Sequence, residues 1–344
     1  MNHEIDLSKY QIRTDLAIEA IENISEIKGI KSKEEIIDEI KVTNVFVDNE
    51  GSKKINKKKG NYITIEFDDI TDFNNKEKVK EIFSQKLKEL IDTLNIDNNK
   101  DILVIGLGND KSTPDALGPM SVNNILVTRH LFIYNEVEEG FKKVAAINPG
   151  VMGQTGIETS DFIKAIVKAI KPTLVIAIDS LASQSIERVN KTIQLTDTGI
   201  HPGSGVGNSR KEISVYTIGA PVIAIGVPTV VDAVTIVSDT INYMYKHYAY
   251  TKENIDNPMN RLTFGNINYL KKDIKTNVED KKVLLGMLGS LNELETRELI
   301  FEVLTPIGYN LMVTPKEVDF VIEKLSDVIG NGINNALHDK VNEL

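Results

Sequence analysis

Cysteine is absent from all 344 residues, which excludes disulfides, thiolate nucleophiles and Cys-based zinc sites. A basic excess is missing too. Lys+Arg number 40 against Asp+Glu 50, a formal charge of −10, so sequence-independent binding to a phosphate backbone is not expected, and nucleic acid is not a direct partner. No run approaches the roughly eighteen apolar residues of a membrane span. The start, Met1-Asn-His-Glu-Ile-Asp-Leu-Ser, lacks the basic head and apolar core of a secretory signal, so a soluble, intracellular protein without a membrane partner is expected. Internal repeats and low-complexity tracts are lacking as well. The 41% hydrophobic content supplies core for one large domain or two ordinary ones.

Several familiar motifs are incomplete. Gly106-Leu-Gly108 follows a strand-like run, but Lys111 stands where a dinucleotide fingerprint needs its third glycine, and there is no Walker-type Gly-Lys-Ser/Thr. Gly203-Ser-Gly205 is preceded by Pro202 rather than a strand, so it is not a nucleophile elbow. His3, His130, His201, His247 and His338 are scattered, without a His-Glu-x-x-His pair. Asp197-Thr-Gly199 matches the aspartic-protease tripeptide, yet those all-β enzymes supply two copies and this α/β pattern has one, so a turn is the better reading.

What is present is alternation. Residues 1–30 are polar and peripheral. Val45-Phe-Val and Tyr62–Phe67 form two short strands around a basic loop holding Lys53, Lys54, Lys57, Lys58 and Lys59, read as a solvated hairpin tip. Glu77–Leu94 has the apolar spacing of an amphipathic helix. From there strands at Ile102–Leu107, Val144–Ile147, Thr173–Ile178, Ile213–Ile218 and Val222–Val227 alternate with helices at Pro114 to about Arg129, Ser160–Ile170 and Val230–Tyr245. Near-continuous Ile/Val/Leu strands between helices predict a mainly parallel α/β sheet with helices on both faces. Residues 251–281 form a polar connection and Lys282–Leu344 a mostly helical region, with Thr314-Pro-Lys-Glu317 as a helix start.

Two aspartates end apolar strands: Asp115, shortly after Ile102–Leu107, and Asp179, closing Thr173-Leu-Val-Ile-Ala-Ile. Carboxyl ends of parallel strands form the reactive rim of such a sheet, so two carboxylates there suggest acid–base hydrolysis. Each also has a purely structural reading. Thr113-Pro-Asp115 suits a helix start complementing the dipole, and Asp179 suits a cap. The glycine-rich loops Asn148-Pro-Gly-Val-Met-Gly153 and His201-Pro-Gly-Ser-Gly-Val-Gly-Asn208 add backbone that a substrate can approach closely.

Gly106-Leu-Gly-Asn109, Ser112–Pro119, Asn148–Gly153, Ala177–Ala182, Gly199–Asn208 and Asn310–Glu317 together resemble the germination protease family of spore-forming bacteria, nearly end to end. The resemblance implies an endopeptidase that begins the degradation of small acid-soluble spore proteins at germination. It further implies a self-processing zymogen, a homotetramer in the cytoplasm of the spore core, and a sheet similar to that of hydrogenase maturation proteases. On it, Asp115 and Asp179 are the catalytic carboxylates, with Asn109, Gly150, Gly153, His201, Gly203 and Gly205 supporting or substrate-binding, and no cofactor. His201 corresponds to the third polar group of the maturation proteases' nickel site. Where those proteins commonly carry Glu this chain has the shorter Asp115, and a metal-free mechanism is expected.

Arg13-Thr-Asp-Leu-Ala-Ile-Glu19 resembles the acidic–hydrophobic–Ala–x–Glu sequence that the family cuts in its substrates. The expectation is a propeptide of residues 1–15 released between Asp15 and Leu16, favoured at mildly acidic pH. A catalytic domain of residues 16–250 and a helical region of residues 251–344 packed on it complete the expected organisation. One carboxylate would act as base and the other as acid, with Asp115 the base because a helix N-terminus favours the anion there. The alternatives are a metal-assisted hydrolase using Asp115, Asp179 and His201, and a non-enzymatic protein holding a ligand at the glycine loops.

Overall fold

The computed structural model describes residues 15–21, 28–96, 101–134, 137–203, 210–256, 269, 274–304 and 311–343. These divide into two compact units, one comprising residues up to 230 with 314–343, the other residues within 231–313.

The first unit is built on strands β1 (Ile30–Ile37), β2 (Ile40–Val47), β3 (Gly60–Glu66), β4 (Ile102–Gly106), β5 (Val144–Ile147), β6 (Leu174–Ser183), β7 (Thr192–Thr196) and β8 (Val222–Asp232). Their order is β1-β2-β3-β7-β8-β6-β4-β5. The expected mainly parallel sheet is overturned. β4 pairs in parallel with β5 and β6, whereas β1/β2, β2/β3, β3/β7 and β7/β8 are all antiparallel. The sheet is mixed and mostly antiparallel, flanked by helices.

For β1 and β2 the reason is local turn chemistry that composition does not announce. Asp38 and Glu39 both take positive φ (47° and 73°) and join Ile37 to its partner Ile40, the geometry of a two-residue hairpin, without the Asn-Gly that usually signals one. The basic loop after β2 is helical instead, α2 (Asn49–Ile55), because Asp48 accepts from the Glu50 and Gly51 amides at 2.7 and 2.9 Å. Ile213–Ile218, expected as a strand, supplies only a bridge from Ile213 to Ile200 before a capping box at Ser214 and Thr217 starts a short helix.

Burial explains the layers. On one face Val104, Ile176, Ile178, Ile193 and Ile225 pack with Ile82, Phe83 and Leu87 of α3 (Phe73–Thr93) and with Leu325, Ile329 and Ile333 of the helix Val318–Leu337. The alternate residues Leu103, Ile105, Val175 and Ala177 face the other way, onto Ile163 and Val167. Those two belong to the helix Thr159–Ile170. Period-two alternation with both faces apolar is what a strand buried on both sides requires. Each such Leu or Ile withdrawn from water contributes about 1.5–3 kcal/mol.

In the second unit Asp232 accepts from the Val234 amide at 2.6 Å and starts the helix Ala233–Glu253, whose Val234 packs with Ile300 and Phe301. Met312–Val313 adds an antiparallel pairing with Val231 and Asp232. Among the described residues no helix is long and apolar enough to cross a membrane.

Candidate active site

β4 delivers Asp115 through a tightly wound turn. The Leu107 amide donates to Ile178 O at 2.8 Å, Gly108 then takes φ 111°, and the Asn109 amide donates back to Asp115 O at 3.0 Å. Thr113–Asp115 is a single 3₁₀ turn followed by a short helix, Leu117–Val122, so the long helix expected from Pro114 is far shorter. Thr229 Oγ1 donates to Pro114 O at 2.6 Å, and Thr314 Oγ1 to Thr229 O at 2.9 Å, which pins the turn to β8.

Gly106 and Gly108, which mimic a dinucleotide loop, serve this packing, since a Cβ on either would lie 2.3 Å from Gly118 O or 2.0 Å from Asp115 O, and Gly118 packs back against the same strands. A Cβ on Gly118 would lie 2.2 Å from Leu107 O and 2.6 Å from Ile178 O, both backbone atoms that cannot step aside. Gly118→Ala is expected to cost about 1–3 kcal/mol of stability by overpacking and to reduce cleavage by displacing Asp115. At Gly153 a Cβ meets nothing within 4 Å, so Gly153→Ala is the matched control that leaves the denaturant midpoint unchanged.

Asp179 lies on β6, 4% exposed, and its Oδ1 accepts from the Ser180 amide at 2.9 Å. Burial pushes its carboxyl well above the usual range, and the negative charges of Asp115 and Asp15 push the same way. Asp115 is half-buried, and burial raises it to about 6 against the opposing Asn109 amide. Both carboxyls thus hold a proton more tightly than a free aspartate does, and the two groups titrate jointly.

Beside this pair lies the chain's own substrate-like segment. The Asp15 amide donates to Ala182 O at 3.4 Å, and the Ala182 amide donates to Asp15 Oδ2 at 3.0 Å, three residues beyond Asp179 on β6. Leu16 is fully buried and clusters with Ile18 and Leu181. Ala17–Ile21 makes one short helical segment. Glu19 accepts from Ser183 Oγ at 2.6 Å and from the Gln184 amide at 2.9 Å, and pairs with Arg188 at 3.4 Å. Lys57 feels the charges of both Asp15 and Glu19, while desolvation lowers its pKa. It is therefore a half-buried partner of this segment and not part of a solvated tip.

The remaining candidates are spread around this centre. Asn109 Oδ1 accepts from Gln154 Nε2 at 2.6 Å, tying the Asp115 turn to the loop that carries Gly150 and Gly153. Gly150 has φ 69° and offers its carbonyl to Thr159 Oγ1 at 3.3 Å. His201 is exposed beside Glu212, 3.5 Å away, its pKa lowered chiefly by desolvation. Gly203 takes φ 70°, and Gly205 lies outside the described residues. Among the described residues no group of three or more His, Cys, Asp or Glu is arranged to hold a metal ion. Asp197 ends β7, accepting from the Asn61 amide at 2.8 Å and Asn61 Nδ2 at 2.6 Å, a bond set that closes the strand. Asp197→Asn should accordingly leave peptide turnover within a few-fold of wild type in a steady-state assay; a loss equal to that at Asp115 would give the Asp-Thr-Gly segment a catalytic role.

Sequence reasoning passed over Gln194, Arg188, Ser183 and Thr229. The available signal was Gln194, a lone amide between Ile193 and Leu195 in a buried strand.

Two carboxyls of raised pKa thus stand on one α/β sheet beside the docked Asp15–Glu19 segment, the residue types of an acid–base hydrolase. The model of the family described as germination protease matches residues 8–344. Germination proteases of Geobacillus sp. (strain WCH70) and Priestia megaterium are each 50% identical over 100% of this chain and 98% of their own. That of Bacillus subtilis (strain 168) is 49% identical over 99% of this chain and 97% of its own. The chain belongs to the germination protease family and is an endopeptidase.

Proposed function

We propose that Asp115 and Asp179 carry the peptide hydrolysis and that the full-length chain cuts itself between Asp15 and Leu16. The activity is the family's, that of an endopeptidase initiating degradation of small acid-soluble spore proteins during germination. Ionised Asp115 takes a proton from the attacking water and protonated Asp179 then gives one to the departing amide nitrogen, so the pair ends the turnover holding one proton, now on Asp115, which passes back to Asp179 before the next. The observation that carries this reading is the docking of Asp15–Glu19 onto β6 directly beyond Asp179, with acidic residues at both ends held by main-chain amides, Ser183 and Arg188. The same grip suits a substrate strand of like sequence. Work in the spore core as a homotetramer, with the substrate proteins as its only macromolecular partners, completes the reading on the strength of the family resemblance. Incubation of purified protein with a spore-protein peptide, with products identified by mass spectrometry, tests it. Cuts on the carboxyl side of an acidic residue before Leu, Ile or Phe are expected; an intact peptide would refute it.

A further inference from the structure

Beyond the two carboxylates, we infer that Gln194 is a third catalytic residue, the one that binds the carbonyl oxygen of the bond being cut. The inference rests on the reading of Asp15–Leu16 as the scissile bond. Gln194 Nε2 donates to Asp15 O at 3.1 Å, and Gln194 Oε1 accepts from the Ala17 amide at 2.6 Å. One carboxamide thus brackets Leu16 and holds main-chain atoms on both sides of the bond. A neutral carboxamide offers a donor and an acceptor on two separate atoms, spaced to reach both main-chain groups at once. A carboxylate there would set a negative charge against the carbonyl oxygen.

The surroundings are built for this. Gln194 is 5% exposed, so its two hydrogen bonds form with little competition from water. Its backbone is held between Thr64 on β3 and Gly226 on β8. Ile193 and Leu195 point into the core on the α3 side, which sends Gln194 to the opposite face, where Asp15–Glu19 lies. Gly226, opposite Gln194, leaves the space that Leu181 fills, since a Cβ there would come 2.4 Å from Leu181 Cδ1. Leu181 in turn is the floor on which Leu16 and Ile18 rest. Side-chain pocket and main-chain clamp are therefore set in register by a single strand pairing.

Chemically, water oxygen bonds to the Asp15 carbonyl carbon while its proton passes to Asp115. The carbonyl π electrons move to oxygen, and the Gln194 N–H, already aimed there, meets the developing oxyanion. Collapse of that oxyanion breaks the bond to Leu16 N, which leaves with the proton of Asp179. A preformed donor of this kind contributes more as charge develops than in the ground state, so its loss lowers kcat rather than weakening binding. Because both contacts are to main chain, the same group serves a peptide supplied in trans.

The test compares wild type with Gln194→Glu and Gln194→Met, measuring self-cleavage of the full chain and kcat and KM on a peptide spanning Thr14–Glu19. Both variants should lose about 10²–10³-fold in kcat with a much smaller change in KM. A residue that merely clips the amino-terminal segment would raise KM and leave kcat alone, so kcat within two-fold of wild type in either folded variant overturns the assignment. Thermal unfolding shows which variant is folded, and Gln194→Glu retains the acceptor and volume if Gln194→Met does not fold. Mass spectrometry of the wild type separates the premises. Cutting at Asp15–Leu16 with kcat unchanged in the variants sinks Gln194 alone, whereas wild type cutting elsewhere sinks the assignment of the scissile bond as well.

Discussion

Replacement of Asp179 or Asp115 by Asn is expected to lower kcat on a spore-protein peptide by about 10²–10⁴-fold each, the usual contribution of a positioned proton-transfer group. An amide matches the carboxyl in shape and can neither accept the water's proton nor release one to the leaving nitrogen. The fold should survive both changes for different reasons. Asp179 is buried and favours its neutral form, so Asp179→Asn brings no new charge or volume into the strand. Asp115 is held through its backbone, by the Asn109 and Ser112 contacts, rather than by its carboxylate. Circular dichroism with steady-state cleavage checks the prediction. A well-folded Asn variant turning over at close to the wild-type rate would remove that aspartate from the mechanism.

Self-processing is the second large effect. Full-length protein should yield a chain beginning Leu-Ala-Ile-Glu, read by amino-terminal sequencing after incubation, and the Asp115→Asn and Asp179→Asn proteins incubated alone should keep Met1. The pH dependence follows from which carboxyl holds the proton. Asp115 is raised to about 6, so below that pH both carboxyls are protonated and the base is lost. Asp179 is raised well above the ordinary carboxylate range, chiefly by burial and then by the charge of Asp115. The rate should therefore rise through about pH 6 as Asp115 ionises and fall again where Asp179 gives up its proton, a bell describing the pair jointly. This narrows mildly acidic conditions to the upper part of that range. Equal processing by the Asn variants, or a rate that keeps increasing below pH 5, would be incompatible with it.

Much of the site was legible because it is local. Asp115 and Asp179 each follow an uninterrupted apolar run, which marks a strand buried in the sheet, although β6 continues past Asp179 to Ser183 and carries that residue inside the strand rather than at its end. Asp15–Glu19 stood out in the sequence only through its resemblance to a substrate sequence. Strand direction was not legible. A β-strand has the same composition whichever way it runs, and β7 becomes an antiparallel neighbour of both β3 and β8 only through pairings between residues far apart in the chain, as at Thr64–Gln194 and Gln194–Gly226. Gln194, Arg188 and Lys57 were missed for a related reason. Each stands in a segment whose local reading is ordinary, a strand, a turn and a basic loop, and its interaction with Asp15–Glu19 joins residues far apart in the chain.

The sequence by itself determined which groups are available: no thiol, two carboxylates after apolar runs, and near the start a segment resembling the one cut in the family's substrates, all properties of residue type and short-range pattern. The tertiary structure decided how those groups are used. Burial raises the proton affinity of both aspartates, the Gly118 contact sets the Asp115 turn against β4 and β6, and a strand that runs antiparallel brings Gln194 to the Asp15 carbonyl. Desolvation and contact between residues far apart in the chain exist only after folding, which is why no reading of adjacent residues contains them.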